Sequence, residues 1–438
     1  MSNYIPNPDA VQMDMLRAIG YSEMSELFAD IPEALRVGPL DLPVGMSELG
    51  VRRAVSAMAA SNTVFPTIFR GAGAYRHYIP AIVKTVVSKE TFLTAYTPYQ
   101  AEVSQGVLQA IFEYQSEICM LTGMAASNAS AYDGASAAAE AAAMCRDRKR
   151  AHTLIAASLN PDTIATVETY SRAADAPVSM LPVQNGTLDI DALRGMIGAD
   201  VSSVIVQSPN YYGLIEDWAA ISEICHAAGA KLIAVCNPIA LALYKTPGEC
   251  GADIAVGEGQ PLGMPLGFGG PYLGFMACVK GMTRQLPGRI AGLTVDADGR
   301  RCFVLTLQAR EQHIRREKAS SSICSNEALC ALTATAYLAA MGPQGLRQTA
   351  EQCYAKAHYA ASALAAAGFP IRHDAPFFNE FLTECPVDAD KLARRLETEG
   401  MLGGLPVDGG ILWCVTEMNT RDEIDRLAAA CEEVRRHG

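Results

Sequence analysis

The chain has 438 residues and lacks any uninterrupted apolar run of the roughly 18–20 residues that a membrane span requires. It also lacks an excess of basic charge: 35 lysines and arginines stand against 47 acids, for a formal net charge of −12. Nucleic-acid binders carry a basic footprint, so that class is set aside. The first fifteen residues have neither a cationic nor an apolar signal region, and no secretory leader is expected. Thirteen cysteines are present, scattered from Cys119 to Cys431, with no CxxC pair and no Cys/His ligand spacing. An odd, scattered set of this kind argues against a disulfide framework or a structural zinc, so no metal is expected. Most of these thiols lie in apolar stretches, where they act as small hydrophobes, and a reducing cytoplasm is the natural compartment. No repeat of solenoid period is found.

What is present is a large store of apolar residues: 50% hydrophobic against 19% charged, enough to exclude wholesale disorder. Residues 1–95 read as a helical segment with interface loops. One helix covers Asp9–Gly20, a cap at Ser22–Glu26 opens a short one, Pro32, Pro39 and Pro43 punctuate the next stretch, and a further helix covers Ser47–Met58. Residues 96–320 alternate helix and strand. A helix over Ala101–Met120 and an alanine-rich one over Ser136–Arg146 precede strands in HTLIAAS, PVSMLPV and SSVIVQSP, then a helix over Asp217–Ala228. Three buried strands come next, at Leu232–Cys236, Ala252–Val256 and Gly274–Val279. This order predicts a doubly wound α/β domain with a mostly parallel sheet. Residues 321–438 predict a smaller α+β domain: helices on either side of Gly342-Pro343, strands at Phe378–Glu384 and Ile411–Glu417, and a last helix from Thr420.

Several segments invite a chemical reading. The loop Gly71-Ala72-Gly73-Ala74 lacks the third glycine of a dinucleotide fingerprint, since Arg76 stands there, and no βαβ unit surrounds it. The stretch Ser127–Ser136 opens the alanine-rich helix, whose N-terminus suits phosphate; taken alone, ordinary capping by Ser130, Asp133 or Ser136 explains it better. Arg310, His313, Arg315, Arg316 and Lys318 form a dense basic cluster. It reads either as a solvated helix with a Glu311–Arg315 pair or as a seat for a carboxylate or an acidic partner. Tyr96, Tyr99, Gln100 and Glu102 gather at a proline-marked turn, where singly bonded buried tyrosines are the plain reading. Lys245 and Lys280 flank the strand region, and both read as solvated surface lysines.

Residues Lys231–Gly281 resemble the centre of a pyridoxal-phosphate (PLP) enzyme of the aminotransferase class. In that class the first of these strands ends in an Asp for the pyridine nitrogen, and the second is followed by the Schiff-base lysine. Here those places hold Cys236-Asn237 and Gly257-Glu258-Gly259-Gln260. An electron sink of this type needs both an amine and a carboxylate, and neither is there. Together YIPNPD, FRGAGAYRHYIPA, AYTPYQAEVSQG, SNASAYDGASAAAEA, ADIAVGEGQPLG, GFGGPYLGFMAC and LQAREQHIRREKASSSICSNEAL resemble the glycine cleavage system P-protein family. The likeness is to its N-terminal half, which occurs separately as subunit 1 of glycine dehydrogenase (decarboxylating), and it extends over essentially the whole chain.

The resemblance implies a PLP-dependent aminotransferase-like (fold type I) α/β domain and a heteromer with a similar, PLP-bearing subunit 2. It implies an oxidoreductase that decarboxylates glycine and passes the aminomethyl group to the lipoyl arm of H-protein. This chain would bind no cofactor covalently, have no catalytic residue of its own and be inactive alone. Gly267, Phe268, Gly269 and Gly270 would reach the partner's cofactor phosphate, where bare backbone suits close approach. Gly71, Gly73, Tyr75, Arg76, His77, Tyr78, Tyr96, Tyr99 and Gln100 would border the substrate channel. Ser130, Asp133, Gly134 and Ser136 would be a vestigial anion site. Two other readings stay open: an autonomous PLP enzyme with a displaced lysine, and a scaffold subunit without a part in the chemistry.

Overall fold

A computed structural model describes residues 7–38, 40–319, 321–323 and 326–437. Tyr4 in the first family motif, Pro39, and positions Ser320, Cys324 and Ser325 of the expected boundary lie outside the described residues. By internal packing the chain divides into two compact units, residues 1–64 and 65–438. Residues 65–95 belong with the second unit because their elements pair there. Thr67–Ile68 runs parallel to Met401–Leu402, and the helix Ala81–Val87 buries Val83 in the main core.

The first unit is helical, as its sequence predicts. Helix Asp9–Ala18 gives way to Gly20 at φ +87°, and Ser47 caps helix Glu48–Ala60 by accepting the Gly50 N–H at 3.2 Å. Between them the short helix Met24–Phe28 starts with reciprocal Glu23/Glu26 capping. This unit leaves many large apolar side chains exposed, among them Val37, Leu40, Leu42, Val44 and Met46.

The second unit is built on a seven-stranded sheet: β1 (Ala126–Ser127), β2 (His152–Ala156), β3 (Val178–Leu181), β4 (Val201–Ser208), β5 (Lys231–Cys236), β6 (Ile254–Glu258) and β7 (Gly274–Cys278). Its order is β1-β7-β6-β5-β4-β2-β3. The pairs from β6 through β3 are parallel, and β7 runs antiparallel to both β6 and β1. Alternate residues fill two cores. Leu154, Val204, Leu232 and Ala255 face one side; Ile155, Ile205, Ile233 and Ile254 face the other. A sheet covered on both faces explains why these strands read as continuous apolar runs.

Helix α1 (Gln105–Thr122) ends at Gly123, with φ +70°. It starts four residues later than its apolar stripe suggests, because residues 101–103 form a turn. Helix α2 (Gly134–Cys145) is the alanine-rich segment. Ala137, Ala138, Ala139, Ala141 and Ala142 are fully buried, so the helix axis lies close to the sheet. Helices α3 (Pro161–Ala173) and α4 (Trp218–Ala228) complete the crossovers. A hairpin, β8 (Ala291–Val295) with β9 (Arg301–Leu305), follows the sheet. The segment α5 (Ala328–Ala366) is two helices joined at Gly342, whose φ of 60° and ψ of 177° are not helical, and Pro343 opens the second, as the sequence predicts. Beyond it, β10 (Glu380–Thr383), β11 (Leu405–Val407) and β12 (Gly410–Cys414) form an antiparallel sheet with α6 (Ala389–Thr398) and α7 (Arg421–His437). Among the described residues no helix is long and apolar enough to cross a membrane.

Candidate functional site

A cavity of about 370 Å³ opens at the carboxyl ends of the parallel strands. The sheet order reverses between β2 and β4, and a crevice outside the strand ends at such a switch point is where open α/β sheets hold ligands. Each strand delivers one polar residue. Asn160 follows β2 and caps α3, accepting the Asp162 N–H at 2.9 Å. Gln207 near the end of β4 accepts the Asn160 N–H at 3.0 Å. Asn237 follows β5, and Glu258 ends β6.

The Gly71–Tyr75 loop closes one wall. Its Ala72 N–H donates to Oε1 of Glu380 at 2.6 Å, and the Tyr75 hydroxyl donates to Oε2 at 2.7 Å. Gln260 clasps the Tyr75 backbone from the other side, accepting its N–H and donating to its carbonyl, each at 2.9 Å. A Cβ on Gly71 would lie 2.5 Å from Glu380 Oε1, so only glycine allows this approach.

The charge of the cavity is of one sign. Asp133, Asp162, Glu258 and Glu380 line it, and no lysine or arginine does. Burial pushes the Glu380 carboxyl up to about 7, against the pull of its Tyr75 and Ala72 hydrogen bonds. Burial also raises Glu258, while three backbone N–H donors act the other way: Leu273 at 2.9 Å, Gly134 at 3.0 Å and Gln260 at 3.0 Å. Pyridoxal phosphate would need an amine for its aldehyde and positive charge or free N–H groups for its phosphate. The lining offers no amine, and the head of α2 already donates to a carboxylate, so these residues do not fit that cofactor. Lys245 and Lys280 are exposed and lie outside the lining.

The remaining sequence candidates separate into distinct places. Gly71, Gly73, Tyr75, Asp133, Gly134 and Glu258 meet in the cavity. Gly267, Phe268, Gly269 and Gly270 form an outward turn, with Phe268 97% exposed and Gly269 and Gly270 at φ +119° and +107°. Arg76 donates to the Pro66 carbonyl at 2.7 Å. The His77 ring meets Glu417 at 2.8 Å, and the exposed Tyr78 donates its N–H to the same carboxylate. His77, Glu417 and Cys353 thus bring three ligand-type atoms within 4.8 Å of one another, a grouping the sequence did not suggest. Tyr96 is 91% exposed, Gln100 is exposed, and the Tyr99 ring lies under the Arg289 guanidinium at 5.0 Å. Ser130 is fully buried and accepts the Glu327 N–H at 2.8 Å at the start of α5, and Asp133 caps α2 through the Ser136 N–H at 2.7 Å.

The expected Glu311–Arg315 pair does not form. Glu311 is the extended residue before a single α-helical turn, Gln312–Arg315, so its side chain does not share a helix face with Arg315; Glu311 pairs with Arg289 instead. Glu380, Asn160 and Gln207 were not singled out by the sequence. For Glu380 a signal existed, an acid inside the apolar run Phe377–Leu382, where a charge has to find buried partners. Asn160 and Gln207 look like any polar residue at a strand end.

The model of the family described as glycine cleavage system P-protein matches residues 2–431. The chain belongs to the glycine cleavage system P-protein family. A protein of Moorella thermoacetica named probable glycine dehydrogenase (decarboxylating) subunit 1 is 50% identical to it over 437 residues, covering 98% of each chain. A crystal structure of glycine decarboxylase (P-protein) in inhibitor-bound form superposes with a TM-score of 0.93 at 41% identity, covering 99% of this chain and 100% of that one. An alanine–glyoxylate aminotransferase from Nostoc sp. shares the fold, with a TM-score of 0.59 at 16% identity, covering 92% and 98%. The P-protein chain therefore has the PLP-dependent fold type I architecture that its motifs imply, and its length matches the subunit-1 form.

Proposed function

We propose that this chain is the subunit-1 half of a glycine-decarboxylating oxidoreductase and works only with a similar subunit that carries PLP. The observation that carries this reading is the near full-length match to a subunit-1 protein; the acidic, lysine-free cavity supports it. PLP bound on the partner supplies the electron sink for loss of carbon dioxide from glycine. The aminomethyl group then passes to the lipoyl arm of H-protein.

What this chain contributes is positioning and exclusion of water. The Gly267–Gly270 turn presents bare backbone that an anionic group on a neighbour can approach closely. The exposed Arg76, Tyr78, Tyr96 and Gln100 border the partner's substrate channel in this reading, with the half-buried Tyr99. The exposed apolar residues of the first unit suit burial against another protein, because a monomer rarely leaves so many uncovered.

The test is release of labelled carbon dioxide from glycine with lipoylated H-protein present. Mixing this chain with its PLP-bearing partner should restore activity that neither has alone. Turnover by the isolated chain supplied with PLP would favour the displaced-lysine alternative. Full activity of the partner alone would favour the scaffold.

A further inference from the structure

We propose that the Glu258 carboxylate is a built-in ligand: it occupies, inside this chain, the place that an external anion would take at the head of α2, and so closes the cavity to phosphate esters.

Helix N-termini attract anions because their first N–H groups lack partners and the helix dipole points positive there. The head of α2 is such a place, at the crevice where the sheet order reverses. Its Gly134 N–H, however, donates to Glu258 Oε2 at 3.0 Å. The other carboxylate oxygen, Oε1, accepts the N–H of Gln260 at 3.0 Å and of Leu273 at 2.9 Å. Three amides from three segments therefore converge on one side chain, as they would on a bound oxyanion.

The backbone is shaped for this closure. A Cβ on Gly134 would lie 2.8 Å from the Glu258 nitrogen, and one on Gly274 would lie 2.2 Å from the Asp133 carbonyl. Both positions require glycine through close approach, so the helix head, the end of β6 and the start of β7 are pressed around the carboxylate. Asp133, on the same helix head, adds a second negative charge that opposes any incoming anion.

The closure belongs to this chain alone and is read without glycine turnover, so its failure and that of the two-subunit reading are distinguishable. The experiment compares full-length wild type and Glu258→Ala in thermal unfolding with sodium formate, inorganic phosphate or sodium chloride at equal ionic strength. The variant should melt lower than the wild type in chloride, and on changing to formate or phosphate it should gain about 3 °C or more beyond the wild type's own gain, the shift expected of a ligand that binds only the folded state. The wild type sets the general salt effect, since phosphate stabilises folded chains by exclusion from their surface. A variant that melts cooperatively and gains no more than the wild type in either salt would overturn the proposal. Should Glu258→Ala not fold, amide hydrogen exchange on Glu258→Gln decides. Exchange at Gly134, Gln260 and Leu273 about ten-fold faster than in wild type supports the proposal, because a neutral acceptor holds these donors less strongly. Unchanged exchange refutes it.

Discussion

The cavity at the strand ends, which Glu258 lines, and the Gly267–Gly270 turn that follows it in the chain are opposite in character. The cavity's two buried glutamates are held within this chain: Glu380 accepts from Ala72 and Tyr75, and Glu258 gathers three amides, while Gln260 beside the cavity holds Tyr75 and Met264. The turn has glycines in left-handed conformations, an exposed phenylalanine and no neighbour near the Gly269 Cβ direction. A site that satisfies its own donors has little left to offer a ligand. A turn with bare backbone has unused capacity, and in the proposed function it is used on the partner.

This contrast can be broken at either end. The largest effect is expected from Gly269→Trp, which forces a bulky side chain onto backbone at φ +119°. Glycine turnover of the assembled complex should fall about ten-fold or more, since small misplacements at a composite site are costly. The strained backbone should lower the melting temperature of the isolated chain by only a few degrees while it still unfolds cooperatively, so the loss of turnover is not a loss of fold. Unchanged turnover would remove the turn from the site.

Next comes the cavity's pH response. Glu380 has its folded pKa raised to about 7 from an ordinary 4.5, so the folded state holds its proton more tightly than the unfolded state does. Its contribution to stability is full below about pH 4.5 and is lost as pH rises toward 7, by up to about 3 kcal/mol. Tyr75, Tyr211 and Cys414 are the titratable groups that face it. Denaturant unfolding of wild type and Glu380→Gln between pH 5 and 8 should show the gap in favour of wild type narrowing as pH rises. A gap independent of pH would contradict the raised pKa.

A smaller effect, about 2 kcal/mol of destabilisation, is expected for Gly134→Ala, because the new methyl group meets backbone that has no room to give. Chemical denaturation measures it directly. The least effect is expected for Lys245→Ala and Lys280→Ala. Each should change stability by no more than about 0.5 kcal/mol, as exposed substitutions do, and leave turnover of the complex intact. Loss of turnover in either would revive the displaced-lysine reading.

Much of the fold was legible because its signals are local. Ser47, Gly20 and the Gly342-Pro343 pair mark helix ends by rules of capping and backbone freedom, and the apolar runs of β4, β5 and β6 mark buried strands. The β8–β9 hairpin was passed over even though Asp298-Gly299 offered a turn signal between its strands. Direction of pairing was not legible, since Gly274–Cys278 alternates its faces in the same way whether it runs parallel or, as here, antiparallel. The candidate site was legible mainly as an absence, the missing lysine after Val256.

The sequence by itself determined that this chain carries the P-protein motifs and a fold type I core without a lysine where the cofactor class places one. Those are properties of residue type and order along the chain. Only the tertiary structure decided what stands in the emptied place. Glu258, Gly134 and Leu273 are brought together by the packing of a helix head against two strand ends, and Glu380 reaches the Gly71 loop from more than 300 positions away. Such meetings depend on where whole elements lie, and no spacing in the sequence encodes them.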